Sequence, residues 1–137
     1  MTGPPLGAHQ SIAGGVENAL LAAERLGFGT VQLFTKNASQ WAGKPFAPGE
    51  AARFRRTLRR TGLKFATAHD SYLINLASAD PALWRRSVEA FADELERAAA
   101  LGLNYLVTHP GAHVGAGEKA GLANVVRALD EVHHRYP

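Results

Sequence analysis

Four times along the chain a short apolar run gives way to a longer stretch of helical period, and this alternation restricts the fold more than any other feature of the sequence. The runs lie around Leu6 to Ala8, at Thr30 to Thr35, at Leu63 to Ala68 and at Tyr105 to Val107. Each is too short for a helix, which predicts buried strands. After the first run, Val16, Ala19, Leu20, Ala23 and Leu26 recur at helical spacing, and Gly27 follows as a stop. Phe54 and Leu58 mark the inner face of the second helix and Gly62 its end. In the third, Asp80 can cap free amides and Pro81 suits the first turn. Trp84, Val88, Phe91, Leu95 and Ala98 then repeat at intervals of four, three, four and three before Gly102. The last helix carries Leu122, Val125, Val126, Leu129 and Val132 on one face. Strand then helix, four times over, predicts an α/β fold of four βα units with parallel strands and right-handed crossovers. No linker or low-complexity segment interrupts it, so residues 1–137 read as one domain.

Composition narrows the chemistry. The hydrophobic share of 46% and the charged share of 20% are those of an ordinary globular protein. The chain has no cysteine, which excludes disulfides, thiolate metal sites and a cysteine nucleophile. Any metal would have to be held by His, Asp or Glu, the ligand set of catalytic zinc. No segment approaches the roughly 18 continuous apolar residues of a membrane span. The opening MTGPPLGAHQ has neither a charged leader nor an apolar core, so the expected location is the cytoplasm. The net charge of +3 is compatible with a polyanionic partner without requiring one.

Three of the four runs stop at a histidine: His9 in LGAHQS, His69 in KFATAHDS and His109 in NYLVTHPGAH. In parallel α/β folds the ligand site lies at the carboxyl ends of the strands, where the loops into the helices gather. These histidines therefore converge on one face. His69 and His109, from neighbouring strands, are candidate ligands of one metal ion, although a buried histidine bonded to a backbone carbonyl is an equally open reading. His113 follows His109 by four residues, but Pro110 and Gly111 break any helix between them, so it reads as a supporting or substrate-facing group. His9 is read in the same way. His133 and His134 end the last helix, where positive charge suits the macrodipole. No residue stands out as the catalytic acid, base or nucleophile.

The basic run RFRRTLRR reads as the solvated outer face of the second helix. A polyanion is better served by the loops on the histidine face. KNASQW offers Lys36, Asn37, Gln40 and Trp41, and HDSYLIN offers Tyr72 and Asn75: cationic, amide and aromatic groups suited to phosphates and base stacking.

Taken together, GAH followed by GG, LFTKN with QW, HDSYLINL and HPGAH resemble the N-terminal half of the endonuclease IV family, the zinc-dependent apurinic/apyrimidinic endonucleases of DNA repair. The likeness runs from Leu6 to the last helix. It implies half of a TIM-type (β/α)8 barrel, with Zn2+ at the carboxyl face, three ions in a complete enzyme. The implied activity is metal-assisted hydrolysis of the phosphodiester 5′ to an abasic site in double-stranded DNA. By resemblance His69 and His109 correspond to zinc ligands, Tyr72 to a residue at the DNA-penetrating surface, and Lys36, Asn37, Gln40 and Trp41 to a DNA-recognition loop. His9 matches a histidine near the site that is not read as a ligand. Ser39 departs from the family, standing where members can carry an arginine wedge.

A complete barrel takes about 250 residues. By resemblance the remaining acidic and histidine ligands come from strands five to eight, which predicts little or no cleavage by these 137 residues alone. Four strands with helices on one side leave an apolar inner face and two open edges, which predicts either a homodimer or a separate second half. Two other functions fit the same elements: a metal-dependent sugar isomerase or epimerase, and a noncatalytic half-barrel that binds DNA or serves in assembly.

Overall fold

The computed structural model describes residues 3–136. Its elements follow in the order β1 (Gly7–His9), α1 (Glu17–Arg25), β2 (Thr30–Phe34), α2 (Glu50–Thr61), β3 (Phe65–His69), α3 (Pro81–Leu101), β4 (Leu106–Val107) and α4 (Glu118–Arg135). The strands form one parallel sheet in the order β1-β2-β3-β4. This is the arrangement the alternation predicts, with shifted strand ends. β1 and β3 each run on to include their histidine, because parallel pairing continues to His9↔Gln32 and Phe34↔His69.

Side chains alternate across a strand, so the register sorts every residue to one of two faces. Val31, Leu33, Ala66 and Ala68 pair in phase and are buried under the helices with Ala19, Leu20, Ala23, Phe54, Ala98 and Leu101. The alternate set is Thr30, Gln32, Phe34, Phe65, Thr67 and His69, paired at β4 with Val107. It lies on the other face. There Phe65 is 51% and Val107 43% exposed, so the inner face is open as expected, but Thr30, Gln32, Thr67 and His69 make it mixed rather than apolar.

A second apolar cluster sits between α3 and α4, built from Ile74, Leu76, Trp84, Val88, Phe91, Ala128 and Val132. Leu106 packs against both clusters and joins them. The start of α3 is as expected: the Asp80 carboxylate accepts from the amides of Ala82 (2.8 Å) and Leu83 (3.2 Å), with Pro81 as the first helical residue. Its end is closed by Gly102, whose φ of 73° is open to glycine at little cost.

Two expected apolar faces need correction. Leu26 caps α1 and is exposed rather than inward. On α4, Leu122 and Val126 are also exposed, because the covered stripe is Gly121, Ala128 and Val132, with Val125 and Leu129 at its border.

Phe54 is fully buried in the first cluster. We expect Phe54→Ala to lower unfolding free energy by about 3–5 kcal/mol. Loss of the cap in Asp80→Ala should cost about 1 kcal/mol. Urea unfolding of the two variants against the parent chain measures both.

Candidate functional site

The carboxyl ends of the strands carry the polar and aromatic groups. His69 is the last residue of β3 and half-buried. Its Nδ1 lies 2.8 Å from the Asp70 carbonyl oxygen, which can only accept, so Nδ1 carries a proton and in the neutral ring the lone pair is on Nε2. That is the state in which a histidine binds a metal, with the other ring nitrogen held by a backbone carbonyl. The reading of His69 as a carbonyl-bonded histidine and the reading of it as a ligand thus describe compatible arrangements.

Around it stand three aromatic rings on the open face. Phe34 lies 4.3 Å from the His9 ring, 5.7 Å from His69 and 5.2 Å from Tyr72, and Tyr72 is 6.1 Å from His69, all between ring centroids. Partial burial, and secondarily the nearby His69, hold His9 below its ordinary pKa. Tyr72 is 72% exposed, its ring braced from one side by Phe34.

His109 lies two residues beyond β4, outside the paired register, and is exposed at the carboxyl end of the sheet. His69 pairs with Val107, which places the two histidines at the ends of neighbouring strands. In this arrangement the His109 Nδ1 accepts from the Gly111 amide at 3.2 Å, which puts the neutral ring's proton on Nε2. To ligate through Nε2, that ring must release the Gly111 amide. His113 is exposed and its Nδ1 accepts from the Gly117 amide at 3.1 Å, tying the loop to the start of α4. Among the described residues no three His, Asp or Glu side chains come close enough to hold a metal ion by themselves. The donor set fits zinc in part.

The recognition-loop residues are placed differently from the expectation. Lys36 is 5% exposed and its ammonium is paired with Glu94, so it offers no surface cation to a phosphate. Trp41 is half-buried against the second cluster, and the Arg86 guanidinium lies 4.3 Å over its ring. Asn75 is drawn into backbone bonds: its Oδ1 accepts from Ala112 and Ala77, and its Nδ2 donates to the Ala112 carbonyl. Asn37 and Gln40 stay exposed, with the Asn37 Oδ1 accepting from the Ser39 amide at 2.9 Å.

Beneath the rim is a buried polar cluster that sequence reasoning missed. The Glu94 carboxylate receives the Thr35 hydroxyl (2.6 Å), the Ser71 amide (3.1 Å) and Lys36. Arg97 reaches the Thr35 carbonyl (2.7 Å) and the Lys44 carbonyl (2.9 Å), with its guanidinium 4.2 Å over Phe46. One turn of α3 therefore clamps the β2–α2 loop to the β3–α3 loop. Asp70, also buried, accepts from the Thr108 hydroxyl and joins the ends of β3 and β4. Burial raises its pKa above the usual carboxylate range, against the lowering effect of the Thr108 bond. The signal was present in α3, where Ser87, Phe91, Glu94, Ala98 and Leu101 repeat at four, three, four and three and all are buried. A carboxylate on such a stripe needs a buried partner.

Four parallel strands covered by helices on one face, with their polar groups collected where the strands end, make half of a (β/α)8 barrel. The chain belongs to the xylose isomerase-like TIM-barrel family, which matches residues 20–135. Its likeness within that fold is to endonuclease IV, as the motifs implied. It is 52% identical over 126 residues to the probable endonuclease 4 of Chloroflexus aurantiacus, a match covering 92% of this chain and 44% of the relative. The crystal structure of endonuclease IV from Thermus thermophilus matches with a TM-score of 0.81 at 37% identity, over 95% of this chain and 48% of that one. D-psicose 3-epimerase from Clostridium cellulolyticum matches at a TM-score of 0.65 with 14% identity, over 94% of this chain and 48% of that one, and shares the fold alone. The chain spans about half the length of the curated relatives it matches. No helix among the described residues is long and apolar enough to cross a membrane.

Removing one partner of the buried ion pair leaves the other charge unanswered. We expect Glu94→Ala to destabilise the fold by about 3–5 kcal/mol. The double change Lys36→Met with Glu94→Leu should cost less than the two single changes added together. Denaturant unfolding of the four-member cycle tests this.

Proposed function

We propose that these residues form the N-terminal half of a cytoplasmic DNA-repair endonuclease of the endonuclease IV type, acting on the phosphodiester 5′ to an abasic site in double-stranded DNA. The observation that carries the reading is the setting of His69: at the end of β3, with Nδ1 against a backbone carbonyl and Tyr72 beside the ring. Supporting it is the 52% identity to a probable endonuclease 4 over nearly the whole chain.

In this reading His69 and His109 are two ligands of a zinc site, and His9 and His113 support it without ligating. Bound zinc would lower the pKa of a coordinated water toward about 7, supplying the nucleophile. The chain's own part is to bind and orient. Asn37 and Gln40 face the duplex and hydrogen-bond phosphate oxygens, which fix register without reading sequence. Tyr72, backed by Phe34, presents a flat apolar ring beside the metal-facing histidine, where it can replace the stacking lost at a damaged position. Extrusion of a nucleotide costs least where pairing is already gone, which favours an abasic site. Lys36 and Trp41 act from beneath, holding the loop that carries Asn37 and Gln40.

Two histidines do not complete a catalytic zinc site, which needs about three protein ligands and a water. The 137 residues alone should therefore show at most feeble cleavage. Joined to the C-terminal half of the Thermus thermophilus enzyme, they should nick an abasic-site duplex, and His69→Ala should reduce that rate by at least a hundredfold. A family-like nicking rate from the 137 residues alone refutes the partial-site reading. Turnover of ketoses but not abasic DNA by the joined protein refutes the nuclease.

The open inner face, with Phe65 and Val107 exposed, favours association through the sheet. Purified by themselves, the 137 residues should pair with a second copy across this face, placing four further strands against it. Sedimentation velocity checks this, and a monodisperse monomer across dilute concentrations counts against it.

A further inference from the structure

Asn75 belongs to the loop expected to face DNA, yet its amide turns inward and behaves like a strip of backbone. Its Oδ1 accepts from the amides of Ala112 (3.0 Å) and Ala77 (3.2 Å), and its Nδ2 donates to the Ala112 carbonyl (3.0 Å). Both backbone groups of Ala112 are thus paired with one side chain. Asn75 is itself anchored, its own amide donating to the Ser87 hydroxyl at 3.0 Å, and Ser87 is buried on α3. A second link, from the Ala77 amide to the Pro110 carbonyl at 3.1 Å, ties the same two loops.

The contact leaves no room for a side chain opposite. Gly111 has φ of 97°, and a Cβ built on it would fall 1.9 Å from the Asn75 Oδ1 and 2.9 Å from the Asn75 Cα. The Gly111 amide in turn donates to the His109 Nδ1. A continuous set of bonds therefore runs from α3 through Asn75 and the Ala112–Gly111 backbone to the His109 ring.

We propose that Asn75 is a positioning residue for His109, fixing the β4–α4 loop so that the His109 ring is held at the carboxyl end of β4. The inference rests on the reading of His109 as a ligand where it speaks of metal; the holding of the ring stands apart from it. Asparagine carries its donor and its two acceptor positions on separate atoms, so one amide can meet both backbone groups of Ala112, which a single hydroxyl oxygen does not span. Aspartate keeps the acceptor and loses the donor, setting a carboxylate against the Ala112 carbonyl. Alanine loses both.

The test uses the 137-residue chain with isotope-labelled histidine, observed by NMR first without metal and then with Co2+ as the probe. His109→Ala identifies the His109 ring signals, and the His69 signals serve as an internal control. Without metal, Asn75→Ala should move the His109 ring signals to the position and width of a free histidine while the His69 signals stay in place, and Asn75→Asp should fall between. Unchanged His109 signals in a folded Asn75→Ala chain overturn the proposal. Should Asn75→Ala fail to fold, the same readout on Asn75→Asp decides: an unchanged His109 ring overturns it and a displaced ring upholds it. Co2+ binding that survives His109→Ala in full refutes the ligand reading instead, while the metal-free signals still judge the positioning.

Discussion

Parallel pairing in phase is the constraint on which the rest of this structure depends. A side-chain period of two means that each strand divides its residues between two faces, and a slip of one residue would exchange them. The pairing of Val31 with Ala66 and of Leu33 with Ala68 fixes that division by placing small and branched side chains under the helices. His69 follows from it. Being one residue beyond Ala68, it must emerge on the opposite face, level with Phe34 and Val107. The same parity carries His9 to that face through Gln32. The chemistry of the rim is thus set by burial of alanines and leucines on the far side of the sheet.

Holding strand ends in phase does not by itself hold the loops that follow them. The loops are fixed by polar groups buried beneath the rim. Glu94 ties the β2–α2 loop to the β3–α3 loop, Asp70 with Thr108 ties β3 to β4, and Asn75 ties the β3–α3 loop to the β4–α4 loop. Every neighbouring pair of loops from β2 onward is joined by a side chain that bonds across the boundary between units. Buried carboxylates are costly unless their hydrogen-bonding capacity is met. At Glu94 both oxygens are met from two directions, which makes the relative position of the two loops a condition of the charge being tolerated.

Helix positions, the order of elements and the parallel sheet were legible because they rest on period and punctuation within short windows. The Asp80–Pro81 start of α3 is a local bond pattern, and the structure repeats it atom for atom. The histidines were legible for the same reason, since each closes an apolar run. The recognition loop was not. Lys36 and Asn75 look like ligands for a polyanion in a linear reading, because the partners that draw them inward are distant in sequence. Their partners lie 58 and 37 residues away, at Glu94 and Ala112. Only Glu94, a carboxylate on an otherwise apolar stripe, hinted that a cation would be drawn inward. The exposure of Leu122 and Val126 was hidden likewise, since a helix reveals its apolar positions and not which of them meet a neighbour.

The open face and the bare flank of α4 lie on different parts of the molecule, yet one physical account covers both. In a closed (β/α)8 barrel the inner residues of opposite strands fill one another's space in layers, and each helix packs between its neighbours in the outer ring. Phe65 and Val107 lie open on the sheet face, and Leu122 and Val126 on α4. The matched relatives extend about as far again as this chain. Further strands and helices of the same kind would cover surfaces of both sorts. What these residues contribute is a setting: histidines at the ends of neighbouring strands, a tyrosine braced beside His69, and loops tied to one another from below.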